Sequence, residues 1–149
     1  MFNLKTSRFS SAEALRRLRY YDGEPVSPSE FIPLAEETGL IDDLSWIVLE
    51  EICMLFGQMR GKIDSVSINL SMQQFEDRSL SGRIHECLKR SGLSPDKLKI
   101  EVTERVLLQD MDYMKMIMEE MTGEGFGFYL DDFGTGYSNI SCALSLPLE

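Results

Sequence analysis

Polar and apolar positions alternate in two segments of the chain, Val66-Ser67-Ile68-Asn69-Leu70-Ser71 and Leu98-Lys99-Ile100-Glu101-Val102-Thr103. A period of two over six residues predicts a strand in each. Phe126 to Leu130 is a short aromatic run, read as a further strand, and the stretch from Arg8 to Arg19 opens in the same manner before the turn signal Asp22-Gly23-Glu24-Pro25. Between these segments the period changes. Ser27-Pro28-Ser29-Glu30 has the order of a capping box, with Ser27 as N-cap and Pro28 in the first helical position. It predicts a helix from Pro28 to Glu37 closed by Gly39. From Asp42 to Met59, Leu44, Ile47, Val48, Ile52, Leu55 and Phe56 recur at helical spacing, with Gly57 and Gly61 marking the end. Leu80 to Ser91, stopped by Gly92, and Met111 to Met121, ending at Gly123, complete the pattern, and another helix is expected near Ser138. Met111, Met114, Met118 and Met121 recur at steps of three and four, as expected of a stripe facing a core.

Strands that alternate with helices of this length require crossover connections and hence a largely parallel sheet, the α/β class. In such sheets ligands bind beyond the carboxyl ends of the strands, so polar residues there carry the functional question. Those ends present Glu13, Asn69, Glu101 with Glu104, and Asp131 with Asp132. Any one of these acids alone is more often a solvated or ion-paired side chain than a ligand. Four strand ends that each offer oxygen are another matter, because adjacent strands lie only about 5 Å apart and a hard cation such as Mg²⁺ or Mn²⁺ takes carboxylate and amide oxygens. Glu101 shares a strand face with Lys99 and Thr103, opposite Leu98, Ile100 and Val102. A carboxylate inside a buried strand needs a partner, and a metal is the economical one. The single histidine, His85, falls within a helix and is read as structural.

Composition narrows this further. At 149 residues and 43% hydrophobic, one domain with a sizeable core is expected. The formal charge of −10 repels a nucleic-acid backbone, so no duplex partner is expected, although metal between carboxylates and phosphate would still admit a phosphate ligand. No stretch approaches the roughly 18 apolar residues of a membrane span. The start lacks the order of a secretory signal, so a cytoplasmic location is expected, with membrane attachment left to a parent protein. Cys53, Cys87 and Cys142 form no CxxC pair and are read as reduced thiols in or near the core.

Five short motifs in order resemble one family. Glu13-Ala14-Leu15 followed by Arg17 matches the ExLxR signature of the EAL family, and Pro28-x-x-Phe31-Ile32-Pro33-Leu34-Ala35-Glu36 matches its next block. Asn69-Leu70-Ser71, Glu101-Val102-Thr103-Glu104 and Asp131 to Ser138 are similar to its third-strand motif, its E-I-T-E and its D-D-F-G-T-G-Y-S. The Asp132-Phe133-Gly134 triplet also occurs in protein kinases, but without the Gly-rich and His-Arg-Asp loops a kinase needs. The resemblance implies a TIM-like (β/α) barrel whose activity is hydrolysis of one phosphodiester bond of cyclic-di-GMP, giving the linear dinucleotide in bacterial second-messenger signalling. It implies that Glu13, Asn69, Glu101 and Asp131 hold a first Mg²⁺ or Mn²⁺ and that Asp131 and Asp132 bear on a second. It further implies that Arg17 pairs with a ligand phosphate, that Leu15 lines the nucleotide pocket, and that Glu104 anchors the loop from Phe133 to Tyr137.

A barrel of this kind usually has eight strands and roughly 200 or more residues. The expectation is therefore a partial EAL domain over residues 1–149, an incomplete barrel corresponding to about strands 2 to 5 of 8. Its start falls past the family's Y-Q-P-I, and Leu146-Pro147-Leu148-Glu149 resembles the L-P-V-D that leads into the Lys-Ile-Asp strand. That lysine and a later glutamate of the second metal site are not in the sequence. Leu18 stands where the family has Trp, a change expected to affect packing. The fragment is expected to be inactive alone and either to self-associate through open sheet edges or to be only partly ordered. The alternatives are a degenerate module that binds cyclic-di-GMP or a protein partner without hydrolysis, and a purely structural scaffold half.

Overall fold

The computed structural model describes residues 2–3, 7–58, 61–132 and 145–148. The loop from Phe133 to Tyr137, the helix expected near Ser138 and Cys142 lie outside the described residues. Two short strands, β1 (Phe2–Asn3) and β2 (Arg8–Phe9), pair antiparallel ahead of β3 (Ser11–Ala14). The predicted turn at Asp22 to Pro25 closes a hairpin of β4 (Leu18–Arg19) and β5 (Pro25–Val26), with Gly23 at φ 90°, a left-handed conformation that glycine adopts without steric cost. Then follow α1 (Pro28–Thr38), α2 (Ile41–Gln58), β6 (Ser65–Asn69), α3 (Met72–Phe75), α4 (Leu80–Arg90), a 3₁₀ turn at Pro95–Lys97, β7 (Leu98–Thr103), α5 (Glu104–Gln109), α6 (Met111–Gly123) and β8 (Gly127–Asp131).

The central sheet runs β3-β6-β7-β8, parallel throughout and in sequence order. Parallel neighbours need crossovers, which α1 with α2, α4, and α6 provide. The register divides the sheet into two faces. Val66, Ile68, Leu98, Ile100, Val102 and Phe128 belong to the main core and the half-buried Ala12 and Ala14 pack against it, with Leu98, Ile100, Val102, Phe128, Ile84, Met114 and Met118 fully buried. The opposite face carries Glu13, Ser67, Asn69, Lys99, Glu101, Thr103 and Asp131, because residues of one parity share a side. The methionine stripe faces the core as expected, whereas Met116 between its members is exposed.

Three local expectations are corrected. The capping box at Ser27 does not form: Ser27 Oγ pairs with Ser29 Oγ at 2.8 Å, and Glu30 accepts from the Tyr20 hydroxyl at 3.2 Å. A reciprocal contact of that kind occurs instead at Ser71, whose N–H donates to Gln74 Oε1 at 3.0 Å. The strand predicted to reach Ser71 ends at Asn69, and α3 begins three residues later. Finally, α2 is turned relative to its predicted stripe. It buries Ile41, Ser45, Leu49, Ile52, Cys53 and Phe56 and leaves Ile47, Met54 and Leu55 exposed. Apolar residues surround most of this helix, and the side that fits the sheet is the one where small Ser45 and Cys53 permit close approach. Gly39 closes α1 as predicted, at φ 73°.

Cys53 and Cys87 are free, buried, and 3.1 Å apart at sulfur between α2 and α4. Burial, with the neighbouring thiol, pushes the Cys53 thiol up to about 12. His85 sets its ring edge against Phe126 with centroids 4.9 Å apart and pairs with Glu124 at 3.3 Å, a structural role as expected. Beside β8, Leu148 forms a parallel bridge to Phe128, so the chain returns to the sheet where the resemblance places the next strand. Among the described residues no strand pairs with the outer edge of β3. No helix among them is long and apolar enough to cross a membrane.

Candidate metal centre

Each of the four sheet strands delivers one oxygen-bearing side chain to the polar face near its carboxyl end. Glu13 on β3 stands level with Ser67, and Asn69 lies two residues further along β6. Asn69 is level with Glu101, and Asp131 is level with Thr103, two residues beyond Glu101. The four side chains therefore share a face and rise along the staggered sheet. Carboxylate oxygens of Glu13, Glu101 and Asp131 all lie within 4.8 Å of one another. The Asn69 amide bridges them, its Nδ2 donating to Glu101 Oε2 at 3.1 Å and to Glu13 Oε1 at 3.3 Å.

Glu101 is the buried member, 6% exposed, while Glu13 and Asp131 are exposed. Burial raises the pKa of the Glu101 carboxyl; the Ser67 hydroxyl opposes that shift, and the charges of Glu13 and Asp131 reinforce it. Three carboxylates at this separation repel one another in a site whose floor is shielded from water. A hard divalent cation would relieve that repulsion, and the donor set of three carboxylates and an amide suits Mg²⁺ or Mn²⁺ rather than zinc. The donor set fits the group implied by the sequence. Here the Asn69 NH₂ faces the carboxylates; ligation through Oδ1 requires the amide to be turned over, with the cation replacing two hydrogen bonds.

The remaining site residues surround this cluster without joining it. Asp132 follows Asp131 at φ 55°, a left-handed conformation that aspartate tolerates better than most residues, and its N–H donates to Asp131 Oδ1 at 2.9 Å. With Glu104, Thr103, Ser71, Gln73 and Glu36 it lines a cleft of about 570 Å³ between α1 and the strand ends. Glu104 opens α5 and is buried, while the loop it is expected to anchor lies outside the described residues. Leu15, half exposed, and Arg17 border a second recess of about 440 Å³ with Phe31, Val48 and Ile52.

Two residues that matter here escaped the sequence reading. Ser67 was available from the alternation, being of one parity with Asn69 on β6. Arg16 lies in the unspecified position of ExLxR, and nothing in its spacing marks it. In the fold its Nη2 donates to Ser45 Oγ and to the Asn69 carbonyl, each at 2.7 Å.

The family model of the EAL domain matches residues 1–149. The bifunctional diguanylate cyclase/cyclic di-GMP phosphodiesterase MucR of Pseudomonas aeruginosa is 38% identical over 141 residues, covering 91% of this chain and 20% of MucR. The chain spans about a fifth of the length of the curated relatives it first matches. Among solved structures, the PaMucR phosphodiesterase in complex with c-di-GMP superposes with a TM-score of 0.83 at 36% identity, covering 92% of this chain and 57% of that one. The manganese/cy-diGMP complex of Klebsiella pneumoniae BlrP1 gives a TM-score of 0.75 at 28% identity, over 95% of this chain and 35% of its own. Sequence motifs, parallel sheet and the match along the whole chain agree: this protein belongs to the EAL domain family, whose domains are TIM-like barrels, and represents part of such a barrel.

Proposed function

We propose that this chain is part of a metal-dependent phosphodiesterase that hydrolyses cyclic-di-GMP to the linear dinucleotide. The observation that carries the reading is the convergence of Glu13, Asn69, Glu101 and Asp131 from four adjacent parallel strands, with Glu101 buried among like charges. In this reading those four residues hold one Mg²⁺ or Mn²⁺, and Asp131 and Asp132 bear on a second site. When bound, such cations lower the pKa of water and offset the charge that develops on the phosphoryl oxygens. Arg17 pairs with a ligand phosphate and Leu15 packs against the nucleotide. Glu104 anchors the segment from Phe133 to Tyr137 that follows Asp132.

The MucR and BlrP1 complexes support both the ligand and the type of metal, since their names record c-di-GMP in each and manganese in one. These residues span one side of a site that in the family is completed by a lysine and a further glutamate. The 149-residue chain alone is accordingly read as able to bind without turning over, as a cytoplasmic module, and as prone to pair with itself through the β3 edge.

Titration with cyclic-di-GMP in Mg²⁺ or Mn²⁺, following binding and linear product together, tests this. Binding without turnover by the 149-residue chain, and turnover by the parent protein that Glu101→Gln abolishes, is the expected result. A parent protein that binds the dinucleotide tightly yet never releases linear product would instead support a degenerate binding module. Absence of both would leave the fold without the activity.

A further inference from the structure

The β3 strand ends at Ala14, paired with Ile68, but β6 continues one residue further to Asn69, which pairs with Glu101 on its other side. The Leu70 N–H donates to the Glu101 carbonyl at 3.3 Å. In a trans peptide the C=O and N–H point in opposite directions, so the Asn69 carbonyl is aimed at the place that β3 has just vacated. A strand-end carbonyl facing the interior of a domain needs a donor. Arg16 supplies it at 2.7 Å, and the same Nη2 reaches Ser45 Oγ on α2 at 2.7 Å. Ser45 is buried and donates to the Ile41 carbonyl at 2.7 Å, which leaves its lone pairs for the guanidinium. Burial disfavours the half-buried Arg16 charge and lowers its pKa, an effect that Glu36 on α1 offsets in part.

We propose that Arg16 is a positioning residue: it fixes the Asn69–Leu70 peptide from the β3 side and thereby holds the Asn69 side chain between Glu13 and Glu101. The inference rests on the metal-centre reading above for its consequence, and on the hydrogen bonds alone for its geometry. The ExLxR signature does not specify this position, so the resemblance by itself does not imply the clamp. Arg16 is not one of the oxygen donors; it acts through the backbone of Asn69, much as the outer partners of metal ligands do, whose loss typically weakens metal binding about 10- to 100-fold.

The test compares wild type with Arg16→Leu, Arg16→Lys and Ser45→Ala, reading amide hydrogen exchange without metal and Mn²⁺ affinity by calorimetry. Exchange at Leu70 is expected to accelerate about tenfold in Arg16→Leu while exchange at Val102, near the carboxyl end of β7, is unchanged, the pattern of local opening. Mn²⁺ is expected to bind about tenfold more weakly, with Ser45→Ala intermediate and Arg16→Lys partly restoring both readouts. Equal acceleration at Leu70 and Val102 would show a purely structural arginine and overturn the proposal, as would an unchanged Leu70. Should Arg16→Leu fail to fold, Ser45→Ala decides on the same two readouts. A wild type that binds no Mn²⁺ but shows the local effect would sink the metal reading and leave the positioning role standing; Mn²⁺ binding that is equal in all variants would do the reverse.

Discussion

Glu101 concentrates the electrostatics of the site in one side chain. Its carboxyl titrates above the ordinary range because burial, and then the charges of Glu13 and Asp131, disfavour the anion. For an acid whose folded pKa lies above the unfolded value, the unfolded chain releases its proton first. The contribution of Glu101 to stability is therefore fully present below the ordinary glutamate range and is lost as pH rises through that range to the raised folded value. Chelator-treated protein should show this contribution in thermal denaturation as a function of pH, and Glu101→Gln, which keeps the shape and removes the charge, should abolish it. An identical pH dependence in the two proteins would mean that neither burial nor the neighbouring carboxylates disfavour the Glu101 anion. At this scale much of the site was legible in advance: Glu13, Asn69, Glu101 and Asp131 were named from alternation and strand-end position, and all four meet. Arg16 was not legible, because its role depends on where β3 stops relative to β6. The sequence shows no such offset.

Among the elements, α6 illustrates a pattern that survives folding and α2 one that does not. Met114, Met118 and Met121 meet the core on a single stripe, with Met116 on the solvent side. Met118→Ala should cost about 2–4 kcal/mol of unfolding free energy, since it leaves a cavity in a filled interior. Met116→Ala should stay within about 0.5 kcal/mol. Chemical denaturation of the two variants checks both, and equal losses would mean that the stripe is not the packing face. The α2 stripe was misjudged because hydrophobicity alone cannot orient a helix that is apolar on most sides. Ser45 and Cys53 count little on such a scale, yet they lie against the interior, one satisfied by the Ile41 carbonyl and Arg16, the other by Cys87. The short helices α3 and α5 also went unread, since four and six residues are too few to display a period.

As a whole molecule, the described chain is built on an open four-stranded parallel sheet, with helices packed on its apolar face and the candidate site on its polar one. In a closed barrel the polar face lines the interior; here it ends at β3, and at β8 it leads into the bridge to Leu148. An uncovered strand edge offers unpaired backbone groups to any similar edge. The isolated 149-residue chain is expected to gain mass with concentration in light scattering coupled to size exclusion, and a constant monomer mass across a hundredfold range would refute pairing through β3. The sequence by itself determined the longer helices and the main strands, a largely parallel sheet and the four ligand candidates, because periodicity and strand-end chemistry are local and survive in any fold that buries the apolar positions. Tertiary structure decided which side of α2 faces inward, how the strands are staggered, and that Arg16 rather than a β3 backbone group meets the Asn69 carbonyl. Each of these depends on the register between segments distant in sequence, and register is set by the packing of the whole sheet against its helices.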